Sequence, residues 1–165
     1  MPLNPRDRGL AYGDGVFETV RVAASGEAPL WSRHRARMVA GLHALDIALP
    51  DQSRLDAALN EGVAVLGGEA GVVKLTVTRG VGGRGYLPPA SAKPTVLWHR
   101  GELPAWSDRL RREGLALGLC QTPLYSEPLA GFKHLNRLPQ VMARREVARQ
   151  GWDEGLLLST RRQPL

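Results

Sequence analysis

The stretch Gly131-Phe132-Lys133-His134-Leu135-Asn136-Arg137-Leu138 sets one lysine between a proline-marked loop, Pro123 to Pro128, and the start of a helix. Pro139 suits the first turn of that helix, where a missing N–H costs nothing. Leu138, Val141, Met142 and Val147 are spaced to line its buried side, and Gly151 ends it. Glu154 to Ser159 reads as the following strand, with Leu156, Leu157 and Leu158 as its core.

Upstream of this stretch, Leu115 to Cys120 and Pro94 to Arg100 read as strands, separated by Gly101-Glu102-Leu103-Pro104-Ala105, the best candidate for a domain linker. Val72 to Arg79 is the clearest strand: Val73, Leu75 and Val77 face one way, Lys74, Thr76 and Thr78 the other. Asp51 is the expected N-cap of a helix whose buried stripe is Leu55, Leu59, Val63 and Leu66, closed by Gly67-Gly68. Ser32 is expected to cap an earlier helix from Arg33 to Leu45. Met38, Leu42 and Leu45 form its apolar stripe, with Arg33, Arg37 and Gly41 on the neighbouring one, where Gly41 would admit another backbone. Val16 to Val22 reads as a strand that ends in a Ser25-Gly26 turn. The expected fold is mixed α/β (α+β), in two parts, residues 1–103 and 104–165.

The 165 residues, 43% hydrophobic and 23% charged, suffice for one domain with a real core and are a squeeze for two. A net charge of +6 admits a nucleic-acid or anionic-substrate partner. The arginines, however, are dispersed among acids, as in Asp108-Arg109-Leu110-Arg111-Arg112-Glu113, the pattern of a solvated face rather than a nucleic-acid patch. A lone cysteine, Cys120, excludes an intrachain disulfide and reads as a core residue in a reducing compartment. No apolar run reaches the ~18 residues of a membrane helix, and the N-terminus lacks a leader's apolar segment. A cytoplasmic protein with no membrane partner is expected. His34, His43, His99 and His134 show no metal-ligand spacing, and no metal is expected.

A second motif stands near the front: Asp7-Arg8-Gly9-Leu10-Ala11-Tyr12-Gly13-Asp14-Gly15-Val16-Phe17-Glu18-Thr19. Together with the Lys133 stretch it resembles the class IV aminotransferase family, the fold-type IV pyridoxal-phosphate enzymes, and within that family the aminodeoxychorismate lyase branch. The resemblance implies an N-terminal α/β domain joined to the beginning of a barrel-like cofactor domain. It implies pyridoxal 5'-phosphate as cofactor, Lys133 as the amine that condenses with its aldehyde, and Arg37 as a phosphate-holding residue. Arg33 and Arg35 are weaker alternatives to Arg37. The only other lysines are Lys74, on the polar face of a strand, and Lys93, in a loop of small residues, and neither has a helix following it. Phe17 and Thr19 become candidate pocket residues, while Tyr12 and Asp14 read as structural.

Gly80-Val81-Gly82-Gly83-Arg84-Gly85-Tyr86 follows a strand, but Leu87-Pro88-Pro89 prevents the helix that a dinucleotide loop must open. It reads as a hairpin or active-site loop, in which Arg84 suits a dicarboxylate substrate or a plain surface position. In the family a Glu that partners the pyridine nitrogen, an Asn-x-Phe segment and a phosphate-holding turn follow the strand matching Glu154 to Ser159. None is in this chain, which is expected to be a C-terminally truncated relative covering about two thirds of a typical member. The implied activity is lysis of 4-amino-4-deoxychorismate to p-aminobenzoate and pyruvate, on a small-molecule substrate and in intact relatives as a homodimer. The alternatives are a D-amino-acid or branched-chain aminotransferase of the same family, a non-catalytic remnant, or a basic nucleic-acid-binding protein.

Overall fold

The computed structural model describes residues 3–103, 108–124, 129 and 131–160. These residues form two compact units. One comprises residues 1–103 with 132–136, and the other 104–131 with 137–165. The sequence reading set all of 104–165 in a second domain; the five residues around Lys133 instead pack with the first unit.

In the first unit a short helix α1 (Arg8–Tyr12) leads into β1 (Gly15–Val22), followed by α2 (Trp31–Ala44), α3 (Gln52–Leu66), β2 (Gly71–Thr78) and β3 (Thr95–Gly101). The strands make one antiparallel sheet in the order β1-β2-β3, in a register that pairs Thr19 with Lys74 and Lys74 with His99. Alternation decides the faces. Val16, Val20 and Val22 of β1 and Val73, Leu75 and Val77 of β2 are all buried, and they pack with Met38 and Leu42 of α2 and Leu55, Leu59 and Leu66 of α3. Both helices thus cover one face of the sheet. The other face carries Phe17, Thr19, Lys74, Thr76, Leu97 and His99.

Asp51 caps α3 by accepting from the Ser53 amide at 3.0 Å, and Gly67 closes that helix in a left-handed conformation (φ 63°). Ser32, by contrast, lies inside α2. The helix starts two residues earlier than expected, at Trp31, with Leu30 at the cap and no side-chain bond, so its first turn is held by packing of Trp31. Gly41 admits a side chain rather than a backbone: a methyl placed there would stand 3.0 Å from Val16 Cγ1.

In the second unit α4 (Asp108–Glu113) precedes β4 (Leu117–Leu119), which pairs in parallel with β5 (Glu154–Leu156) across the connection through α5 (Leu138–Gln150). Cys120, Ala143 and Val147 make a small core, with Trp152 and Leu157 against it. A methyl on Gly155 would meet Cys120 Sγ at 2.5 Å and Val147 Cγ2 at 2.6 Å, so glycine lets α5 settle on the strand. Burial and the carboxylates of Glu146 and Glu154 push the Cys120 thiol up, which keeps it protonated and unreactive. The expected buried side of α5 is corrected. Leu138 is 75% exposed, Val141 and Met142 are exposed too, and Ala143 and Val147 are the buried positions. β5 is also shorter than expected, and Leu156 is exposed. Pro104 and Ala105 of the expected linker and Tyr125 to Pro128 of the loop lie outside the described residues.

Candidate functional site

The site begins at the front motif, where α1 turns the chain into β1. Asp7 caps α1 through the Gly9 amide at 2.8 Å, and its second oxygen accepts from the Thr78 and Thr95 hydroxyls at 3.0 and 2.8 Å. The Asp14 carboxylate lies between two nearly buried guanidiniums, Arg8 Nε at 2.8 Å and Arg79 Nε at 2.7 Å. Arg79 also donates to the Leu45 and Asp46 carbonyls, and Arg8 to those of Gly85 and Tyr86. Burial alone would raise the Asp14 carboxyl, but the hydrogen bonds and charges of Arg79 and Arg8 outweigh it and hold the group below the ordinary carboxylate range. The structural reading of Asp14 stands. The same network ties the glycine-rich loop to α1, with the Tyr86 ring tilted against that of Tyr12 at 5.4 Å between centroids.

The lysine segment docks on the outer edge of β1. The Phe17 amide donates to the Lys133 carbonyl at 2.9 Å and the Leu135 amide to the Gly15 carbonyl at 2.9 Å, which pairs Val16 with His134 in antiparallel fashion. That bridge turns His134 to the face of Val16 and sends Lys133 to the face of Phe17. The Lys133 ammonium accordingly sits over the Phe17 ring, 4.5 Å from its centroid. Gly15 makes the docking possible. A methyl there would lie 2.5 Å from the Val77 oxygen, 2.9 Å from Thr78 Cα and 2.9 Å from Leu135 Cδ1. Gly15→Ala is expected to lower stability by about 1–3 kcal/mol through this overpacking. Urea unfolding measures that loss, and amide hydrogen exchange at Phe17 and Leu135 shows whether the lysine segment is loosened.

Arg37 lies on the helix face of the same strand. Its Nε and Nη2 grip the two oxygens of Glu18 at 2.5 and 2.6 Å, and His34 Nδ1 meets the same carboxylate at 2.8 Å. Glu18 is fully buried while Arg37 remains 47% exposed, so the guanidinium is oriented by a hidden carboxylate and keeps an outward side. Burial raises the Glu18 carboxyl, but the bonds and charges of Arg37 and His34 prevail and lower it; Arg37 is raised in turn by its bond to Glu18. Glu18→Gln is expected to cost about 1–2 kcal/mol, the modest size reflecting Arg37's access to water. Because the folded-state carboxyl lies below its ordinary value, this stabilisation is present above pH ~4.3 and is lost as pH falls through the folded value. Urea midpoints of the parent and Glu18→Gln should therefore converge in acid.

Of the residues singled out from sequence, Phe17 and Lys133 are brought together, and Thr19 lies two residues along on the same face, exposed. Arg37 is on the opposite face, one helical turn from Gly41. A methyl at Gly41 would be 3.8 Å from Phe132 Cδ1, so α2 reaches the lysine segment around the edge of β1. Arg84 is exposed on its loop. Sequence reasoning passed over Glu18, His34, Asp7 and Arg79. The signal for Glu18 was available: a carboxylate at the same parity as Val16, Val20 and Val22 must be buried and must find a cation.

The chain is similar to known proteins over most of its length. It is 39% identical over 149 residues to an aminodeoxychorismate lyase of Vibrio harveyi, an alignment covering 89% of this chain and 53% of that protein. It superposes on the crystal structure of 4-amino-4-deoxychorismate lyase from Pseudomonas aeruginosa with a TM-score of 0.86 at 46% identity, over 98% of this chain and 58% of the other. A PLP-bound hypothetical aminotransferase from Mycobacterium tuberculosis matches with a TM-score of 0.77 at 26% identity, over 98% and 58%. The chain thus spans about half the length of its curated relatives, less than the resemblance in sequence suggested. The sequence model of the amino-transferase class IV family matches residues 15–164, from the first residue of β1 past the end of β5, and with the lysine segment seated on that strand the chain belongs to this family.

Proposed function

We propose that this chain carries the lysine-bearing part of an aminodeoxychorismate lyase, which converts 4-amino-4-deoxychorismate to p-aminobenzoate and pyruvate with pyridoxal 5'-phosphate. The observation that carries the reading is the Lys133 amine held over the Phe17 ring by a segment hydrogen-bonded to β1. An amine for the aldehyde, an aromatic ring beside it and a guanidinium with an outward side suit the cofactor. When bound, pyridoxal phosphate supplies the electron sink that stabilises charge developing on the substrate ring.

The roles of the residues follow from their chemistry. Lys133 Nζ is the amine that would hold the cofactor, and when free it would take the ring proton as the enolpyruvyl carbon–oxygen bond breaks. Loss of that proton makes the ring aromatic, and protonation of the departing enolpyruvate gives pyruvate, so the reaction balances without water or a redox partner. Arg37, oriented by Glu18, holds phosphate. Phe17 and Thr19 border the substrate, and Arg84 meets one of its carboxylates. A homodimer in the cytoplasm accompanies this reading, with light scattering as the check on the dimer.

An aminotransferase would use the same lysine. The higher identity to the lyase structure, 46% against 26%, favours the lyase. Incubation of the chain with pyridoxal 5'-phosphate, borohydride reduction and peptide mass spectrometry should put the label on Lys133. Equal labelling of Lys74, Lys93 and Lys133 would defeat the reading. Release of p-aminobenzoate from 4-amino-4-deoxychorismate, against amino transfer to a keto acid, separates lyase from aminotransferase.

A further inference from the structure

The glycine-rich loop between β2 and β3 is shaped around one side chain. Asp7 draws its two stems together through Thr78 and Thr95. The Arg8 amide donates to the Gly80 carbonyl at 2.8 Å, and the Gly82 amide to that of Arg6 at 3.1 Å. The Arg8 side chain then runs along the loop. A methyl on Gly82 would lie 2.6 Å from Arg8 Cδ and 2.8 Å from Cγ, so glycine there lets the backbone rest on the arginine stem. Farther on, Gly85 takes a left-handed conformation (φ 95°), and the Gly85 and Tyr86 carbonyls accept from Arg8 Nη1 and Nη2 at 3.1 and 2.7 Å.

Glycine-rich loops commonly turn their amides to an anion, whereas this one turns carbonyls to a cation. Arg8 is only 3% exposed, and its three nitrogens go to Asp14, Gly85 and Tyr86, with the Tyr12 ring centroid 4.7 Å from Cζ. A carboxylate counter-ion needs only a charge beside it. Holding two successive carbonyls as well needs a planar fork, which an ammonium lacks. Arg84 immediately precedes Gly85 and is exposed. Fixing the carbonyl that follows Arg84 fixes the direction in which its side chain leaves the loop. A guanidinium on a loose loop loses conformational freedom when it binds; on a pinned loop that loss has already occurred on folding.

We propose that Arg8 is a positioning residue for the substrate site: it orders the glycine-rich loop that presents Arg84 to a substrate carboxylate. This rests on the reading of Arg84 given above and deepens it by naming the group that sets Arg84 in place.

Arg8→Lys keeps a cation beside Asp14 but lacks the fork, and a double-mutant cycle with Arg84→Gln separates positioning from general support of the fold. Calorimetry on the chain without cofactor, where nothing turns over, gives the affinity for 4-amino-4-deoxychorismate of the parent, both single variants and the double variant. Each single substitution is expected to weaken binding about ten-fold, and the double variant to bind no more weakly than either. Independent losses, about a hundred-fold together, would overturn the proposal, since Arg8 would then not act through Arg84. The nuclear Overhauser effect between the Tyr12 and Tyr86 rings, whose centroids are 5.4 Å apart, should vanish in Arg8→Lys and persist in Arg84→Gln. Its survival in Arg8→Lys would mean that other contacts hold the loop, and the proposal would fall. Should Arg8→Lys not fold by circular dichroism, Gly82→Ala, which lifts the loop from the Arg8 stem and leaves Asp14 untouched, takes its place with the same expectations. Loss of affinity in Arg84→Gln with none in Arg8→Lys defeats the role of Arg8 alone. An Arg84→Gln chain that binds like the parent, or a parent that does not bind, defeats the reading of Arg84 and the proposal with it.

Discussion

Lys133→Ala is expected to abolish the borohydride-stable pyridoxal phosphate adduct, leaving at most a trace of label on Lys74 and Lys93. Where turnover is measurable it should fall by at least the ~10²–10⁴-fold that a positioned proton-transfer group contributes, because the variant loses both the cofactor's anchor and the base. The fold should survive. The segment is tied to β1 by the Lys133 carbonyl and the Leu135 amide, which alanine preserves, so circular dichroism and urea melts should match the parent. An undiminished adduct, with label moved to another lysine, would sink the assignment.

Asp14→Ala is expected to have the largest effect on stability, a loss of about 3–5 kcal/mol, because it strips the shared counter-ion from two nearly buried guanidiniums. Arg8 and Arg79 keep their carbonyl acceptors at Gly85, Tyr86, Leu45 and Asp46, but those bonds do not neutralise charge. The pH dependence has a definite sign. The Asp14 carboxyl is held below its ordinary value in the folded protein, so its contribution is complete above pH ~3.9 and lost as pH falls through the folded value. Urea unfolding over a pH series checks both statements. A full-sized gap at neutral pH that narrows in acid is the expected result, and a gap that persists unchanged in acid would show that Asp14 acts by packing alone.

Much of the first unit was legible in the sequence because its signals are local. The period-two runs of β1 and β2, the Asp51 cap and the Gly67 stop each depend on a few neighbouring residues, and each lies where expected. The start of α2 was misread because Ser32 is a good cap by chemistry, yet packing of Trp31 begins the helix two residues earlier. The face of α5 was misread for a related reason. Leu138, Val141 and Met142 are apolar at plausible spacing, but the close approach allowed by Gly155 brings Ala143 onto the strand beside the expected Val147 and leaves those three exposed.

The sequence by itself determined where Lys133 stands, between a proline-marked loop and the start of a helix, because that is a property of residue order. It also determined which residues of β1 and β2 share a face, since a strand's alternation leaves no choice. Only the tertiary structure decided that the Lys133 segment pairs with the edge of β1, that Glu18 orients Arg37 from beneath, and that Arg8 holds the Gly85 and Tyr86 carbonyls of the glycine-rich loop. These contacts join residues some twenty to more than a hundred positions apart. Their partners are chosen by strand register and by which edge is left open, and neither is written in any short stretch of the chain.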